Sequence, residues 1–184
     1  MTQTSKTTLY TRYPSSSIVV YNLVTILHFS LGGVGIMLGY HPSWVGYVLG
    51  AIYLAFAFGQ MYLLMPLTVC PNCVYYRTEG ALCTSGLNVI ARRIAKEGSA
   101  QDFGQRAQGL LCHNNLYMAA LFLPIVAMIP ALILNFSWLL LVLFVSVVGL
   151  LLFRFFVIFG RIACLHCQAK QDCPNAARTG VREK

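Results

Sequence analysis

Carboxylates are scarce in this sequence: five Asp and Glu stand against thirteen Lys and Arg, and charged residues make up only 10% of the 184. An ordinary soluble domain carries about 25%, so a conventional water-facing surface is excluded. None of the five acidic residues lies in an apolar run, which leaves no carboxylate pathway of the kind that transporters and proton pumps carry in their spans. No Cys-x-x-Cys-His occurs, so covalent c-type haem is excluded. A nucleophile paired with a base, a phosphate-cradling glycine loop and paired carboxylates are also missing, which argues against a stand-alone catalytic site.

What the chain has is hydrophobicity: 58% apolar residues and a mean hydropathy of +0.68. It is gathered into four runs, residues 18–39, 45–66, 116–134 and 138–160. Each is close to the ~20 residues that cross ~30 Å of hydrocarbon at 1.5 Å per residue. The predicted fold is an all-α integral membrane protein with four transmembrane helices, a form in which every backbone group is satisfied inside its own span. Lys6 and Arg12 before the first run also suit a secretory signal, but the run outlasts a signal core and no small-x-small site precedes Tyr40, so it is read as a span. The only full charge inside the runs is Arg154, six residues before the end of the fourth, where its long side chain is expected to reach headgroups.

Every Lys and Arg outside the runs lies in the N-tail, the loop between the second and third runs, or the C-tail, and the two short turns carry none. The positive-inside rule then puts both termini and that loop in the cytoplasm, with the spans in the inner (cytoplasmic) membrane. The net charge of +8 is thereby read as juxtamembrane charge facing anionic lipid, with no nucleic-acid partner. The predicted organisation is a cytoplasmic N-tail (1–17), a first hairpin (18–66), a cytoplasmic cysteine-containing loop (67–114), a second hairpin (115–160) and a cytoplasmic cysteine-containing tail (161–184).

The two hairpins read as a tandem repeat. Ser43-Trp44 recurs as Ser137-Trp138, and Cys70-x-x-Cys73 recurs as Cys164-x-x-Cys167 at the same displacement; Asn22-Leu23 is echoed by Asn115-Leu116, and a third cysteine, Cys83 or Cys173, follows each pair. Parallel repeats place both cysteine groups on one side of the membrane. Between the halves, Leu87, Ile90, Ala91 and Ile94 share helical spacing opposite Arg92, Arg93 and Lys96, which predicts a short helix capped by Ser85 and ended by Gly98, either interfacial or a plain surface helix covering the cysteine region.

Seven cysteines in reducing cytoplasm point to metal or redox chemistry rather than structural disulfides. A two-residue spacing turns both thiolates toward one ion or cluster. Iron–sulfur ligation is favoured, because triplets repeated as units suit clusters that use cysteines in threes and fours. The candidate ligands are Cys70, Cys73, Cys83, Cys164, Cys167 and Cys173, with Cys112 a candidate additional thiolate. One zinc held by the two pairs is the alternative, and a dithiol redox centre the third reading. His113 and His166 beside the cysteines are read first as interfacial histidines bonded to water or backbone.

His28 falls near the bilayer midplane, about 15 Å into the first span, and is a candidate quinone contact; the plainer reading bonds it to a facing helix, at Gln60 or Tyr53. Gly35-x3-Gly39 and Gly46-x3-Gly50 predict close helix packing, and Tyr10, Tyr13, Tyr40, Trp44 and Trp138 predict interface belts. The expected function is an electron-transfer subunit of an oxidoreductase complex, holding iron–sulfur clusters between a soluble redox partner and membrane quinone. The alternative is a zinc-stabilised anchor, scaffold or assembly factor for a larger complex.

Overall fold

The computed structural model describes residues 8–174 and Ala176; Lys6 in the N-tail, and residues 177–184 of the C-tail, lie outside the described residues. Among the described residues the regular structure is helical, with two isolated β-bridges and no strands. Helices α1 (Ser15–Gly39), α2 (Trp44–Asn72), α4 (His113–Leu134) and α5 (Trp138–Ala163) are long and apolar enough to cross a membrane. The short α3 (Leu87–Ile94) lies between α2 and α4. All four long helices outrun their apolar sequence at the cysteine-bearing end, because polar residues such as Ser15, Asn72 and His113 continue the hydrogen-bond ladder there.

Helix α1 packs against α2, α4 and α5. Small residues permit the contact: a Cβ placed on Gly46 would lie 2.9 Å from the Met37 carbonyl oxygen, and one on Gly39 would lie 2.6 Å from the Ala131 Cβ. The glycine pairs therefore report packing, as their spacing predicts. In α2 the α-helical ladder widens to a π-helical one over Gly59–Leu64, and in α5 over Arg154–Ala163. Such wide turns rotate everything beyond them relative to the helix before, and in both helices a cysteine pair lies beyond.

Three expectations need correction. Arg154 does not reach outward: it is 0% exposed, donating to Thr25 Oγ1 at 2.8 Å and to the Tyr117 hydroxyl, with its guanidinium 5.6 Å and 5.7 Å from the ring centres of Tyr21 and Tyr117. Hydroxyls and ring faces replace water around the charge. Helix α3 forms where expected, burying Leu87, Asn88 and Ala91 and leaving Ile90 and Ile94 exposed, but its end is not at Gly98. Its turn to this face follows from Asn88, whose amide has three backbone partners, and from Arg92, which bends inward to the carbonyls of Tyr75, Tyr76 and Thr78. It starts at Gly86 (φ +72°), with the Ser85 hydroxyl accepting from the Leu87 N–H at 3.5 Å, and it stops at Ala95, short of Gly98. Third, Tyr13 belongs to no interface belt; it is buried beneath the cysteines, whereas Trp44 and Trp138 are 73% and 75% exposed at the opposite end.

Candidate functional site

The two Cys-x-x-Cys pairs adopt the same local turn. The Cys73 N–H donates to the Cys70 carbonyl at 3.1 Å, and the Cys167 N–H donates to the Cys164 carbonyl at 3.3 Å. In each case the second cysteine leaves the turn in extended backbone and its carbonyl accepts from the N–H three residues on, Tyr76 at 2.9 Å and Lys170 at 3.2 Å. Pro71 is present in only one pair, so the turn does not depend on it. Cys83 is set by the buried Asn88, which accepts from the Cys83 N–H at 3.1 Å and donates to the carbonyls of Tyr75 and Ala81 at 3.1 Å and 2.9 Å.

The N-terminal segment ties the two cysteine segments together. Its Tyr10 N–H donates to the His166 carbonyl and its Tyr13 N–H to the Leu82 carbonyl, both at 2.9 Å, while the Leu82 N–H returns to the Thr11 carbonyl at 3.1 Å. The Tyr13 hydroxyl bonds the Ala163 carbonyl at the end of α5, and the Tyr75 hydroxyl donates to the Tyr10 carbonyl at 2.6 Å and accepts from the Gln168 N–H at 3.1 Å. Tyr10, Tyr13 and Tyr75 thus act as a clamp between the loop after α2 and the tail after α5. Sequence reasoning missed them, since bonds to backbone carbonyls far along the chain leave no periodic signal.

Six of the seven cysteines, Cys70, Cys73, Cys83, Cys164, Cys167 and Cys173, line one cavity of about 280 Å³. Its inner wall is made by span residues including Tyr21, Met61, Tyr117 and Phe159, and its outer wall by Arg106, Lys170 and His113. No Asp or Glu is on the wall. Burial pushes the thiols of Cys73 and Cys164 up to about 11 and that of Cys167 up to about 12, and neighbouring sulfurs add in the same direction. Cys73 feels both Cys83 and Cys173, and Cys167 feels Cys73, Cys164 and Cys173, so the two triplets form one electrostatic group. The Arg106 guanidinium, seated over the Phe103 ring at 5.3 Å, opposes the rise at Cys73 and Cys164. Without a metal these thiols are neutral at pH 7; holding several as thiolates at once calls for positive charge in the cavity.

Among the described residues no three His, Cys, Asp or Glu side chains are gathered closely enough to hold an ion between them. The sulfurs are spread over the cavity wall instead. Cys112 is apart from them: it is buried at the start of α4 and does not line the cavity. The adjacent His113 does, and its Nδ1 is buried with no hydrogen-bond partner. His166 lies outside the lining, stacked on Tyr10 at 4.4 Å with Nδ1 2.8 Å from the Thr8 carbonyl oxygen, which agrees with the structural expectation for it.

His28 is fully buried and its Nε2 donates to the Leu121 carbonyl at 3.1 Å, while its Nδ1 has no partner. Neither expected side chain supplies the bond: Tyr53 donates to the Ala120 carbonyl at 2.9 Å, and the buried Gln60 amide has no partner. His28 is not among the cavity-lining residues. Comparison of the chain with protein-family models, curated proteins and solved structures gives no match.

Proposed function

We propose that this protein is a membrane electron-transfer subunit whose two cysteine triplets jointly hold an iron–sulfur centre at the cytoplasmic face. The observation that carries the reading is the convergence of Cys70, Cys73, Cys83, Cys164, Cys167 and Cys173 on one largely apolar cavity that has Arg106 and Lys170 on its wall and no carboxylate. Thiolate-ligated clusters are anionic bodies that keep their ligands apart, and a cavity with sulfurs around its wall suits them. A single zinc, with Zn–S near 2.3 Å, draws four sulfurs to within about 4 Å of one another, and the spread of these thiols does not favour it. His113, with its free Nδ1, is a better additional ligand than Cys112.

The two hairpins are read as tandem repeats. Support comes from the matched Cys-x-x-Cys turns and from the π-helical segments, Gly59–Leu64 and Arg154–Ala163, that precede them at corresponding places. The excess of Lys and Arg at the cysteine-bearing end supports a cytoplasmic setting. There a soluble redox protein or a companion subunit exchanges electrons with the centre. The cavity's inner wall of span residues points the route into the membrane, toward quinone; His28, sealed against the Leu121 carbonyl, is left as a packing residue in this reading.

Anaerobic purification followed by analysis of iron, acid-labile sulfide and zinc tests the reading. Brown protein with broad absorbance near ~400 nm and iron matched by sulfide is expected. Zinc alone, at about one per chain, would select a zinc-stabilised scaffold instead, and metal-free protein of full stability would remove both.

A further inference from the structure

Helix α3 is tied to the bundle at the depth where the spans end. Leu87 and Ala91 belong to the main apolar core with Tyr21 and Val24 of α1 and Met61 of α2, and the helix packs against Met65–Thr68, Cys70–Asn72 and Val74–Arg77. Just before it, the Ser85 carbonyl accepts from the Asn22 side-chain amide at 3.0 Å. Asn22 and Thr68 stand near the ends of the apolar runs 18–39 and 45–66, so α3 lies beside the last turns of the lipid-facing surface, where Val19, Leu23, Leu63 and Leu67 are exposed. Ile90 and Ile94, one helical turn apart, are exposed on the side away from the core. Two cations accompany them. Arg93 and Lys96 are exposed, and neither has a carboxylate partner: the one ion pair among the described residues joins Arg77 to Glu97 at 2.9 Å. A short helix with apolar residues at this depth and unpaired cations beside them matches a surface that is apolar below and negatively charged above. A soluble partner needs no such alignment with the span ends.

We infer that α3 is an in-plane binding element for anionic phospholipid, with Ile90 and Ile94 seated at the acyl boundary and Arg93 and Lys96 on headgroup phosphates, and that the bound lipid steadies the cysteine cavity through Asn88. Asn88 lies on the buried side of the same helix. It accepts from the Cys83 N–H at 3.1 Å and donates to the carbonyls of Tyr75 and Ala81, so fraying of α3 releases the backbone that holds Cys83 on the cavity wall. Holding α3 against the membrane opposes that fraying. The coupling holds whatever occupies the cavity, and so stands apart from the iron–sulfur reading.

The test uses the full-length protein, drawn from one preparation so that cavity occupancy is equal, in nanodiscs of phosphatidylcholine alone or mixed with phosphatidylglycerol. Amide hydrogen exchange over residues 87–94 and the alkylation rate of Cys83 are read by mass spectrometry. An anionic surface favours each nearby Lys or Arg by about fivefold, so the anionic discs are expected to slow α3 exchange by about tenfold or more, and to slow Cys83 alkylation with it. Arg93→Gln combined with Lys96→Gln, both at exposed positions, is expected to abolish the lipid difference in both readouts. So is ~1 M salt, which cuts the reach of these charges to about 3 Å. Ile94→Trp, in a chain carrying Trp44→Phe and Trp138→Phe, is expected to be quenched by lipid brominated on its acyl chains. Equal exchange and equal alkylation in the two lipids overturn the inference, as does a difference that survives the paired Gln substitutions. Slower exchange with unchanged Cys83 alkylation overturns the coupling to the cavity. An unquenched Ile94→Trp signal overturns the membrane setting and leaves this face to a soluble partner. A preparation without metal removes the iron–sulfur reading and leaves each of these comparisons in force, which keeps the two failures distinct.

Discussion

The two ends of the helical bundle are built by different means. At the tryptophan end the turns are short and uncharged, Gly39 and Gly46 let backbones touch, and exposed Trp44 and Trp138 mark the rim. At the cysteine end the helices overrun their apolar sequence, two of them widen into π-helical turns, and a long loop and both terminal segments close over a cavity. The first end is held mainly by packing, with two long-range side-chain bonds, Tyr40 to the Ala127 carbonyl and Asn135 to the Gly39 carbonyl. The second is held by polar side chains bonded to backbone carbonyls, such as Tyr13, Tyr75, Asn88 and Arg92. Apolar packing tolerates no void, whereas a hydrogen-bonded frame can surround one, and the frame lies at the end where the sulfurs are.

The largest effects should come from breaking the sulfur set itself. Cys73→Ser and Cys167→Ser, one from each triplet, are each expected to lose most of the bound metal, while Cys112→Ser keeps all of it, as read by metal content per chain. Next comes the frame: Asn88→Ala leaves the Ala81 carbonyl and the Cys83 N–H without their partner and takes from the Tyr75 carbonyl one of its two donors, Arg92 being the other. At about 1 kcal/mol for each of these bonds, the variant should lose about 3 kcal/mol, and Cys83 should be alkylated faster. Gly46→Leu strikes the other end, where overpacking against the Met37 carbonyl costs about 1–3 kcal/mol. Its signature is a lowered Tm with cysteine alkylation rates unchanged, whereas Asn88→Ala changes both.

The smallest effect sharpens the contrast by pH. Burial holds Cys73, Cys164 and Cys167 protonated in the folded, metal-free protein to about 11–12, above the ordinary thiol value of 9.0. The folded state therefore keeps protons that the unfolded chain gives up. This contribution to stability is fully present below about pH 9 and is lost as pH rises toward 11–12. Denaturant unfolding of metal-free protein between pH 8 and pH 11, about the ordinary thiol value and above it, should show the decline, and metal-loaded protein should show less of it.

The same division governs what could be read from the sequence. The four long helices were legible because hydrophobic runs long enough to cross a membrane leave few alternatives. The glycine pairs were legible for the same reason. Helix α3 was found by its spacing, but the inward turn of Asn88 was not legible, because it rests on hydrogen bonds that hydropathy does not register. Arg154 was misjudged in the same way: its position near the end of an apolar run suggests an outward reach, and only the neighbours Thr25, Tyr21 and Tyr117, brought from two other helices, turn it inward. The six cavity cysteines were named from spacing and repetition, but Cys112 fits the same composition and stands apart. The clamp from Tyr10 to Tyr13 was invisible, since its partners, Leu82, Ala163 and His166, lie far along the chain.

Native mass spectrometry of the anaerobically purified protein decides whether the six sulfurs hold an iron–sulfur centre, because it weighs what the cavity holds on the intact chain. A mass increment from several iron and sulfide ions is expected, lost when a cysteine of either triplet is replaced and kept when Cys112 is. An increment that survives removal of one whole triplet, or a chain whose mass is that of the bare polypeptide, would contradict it.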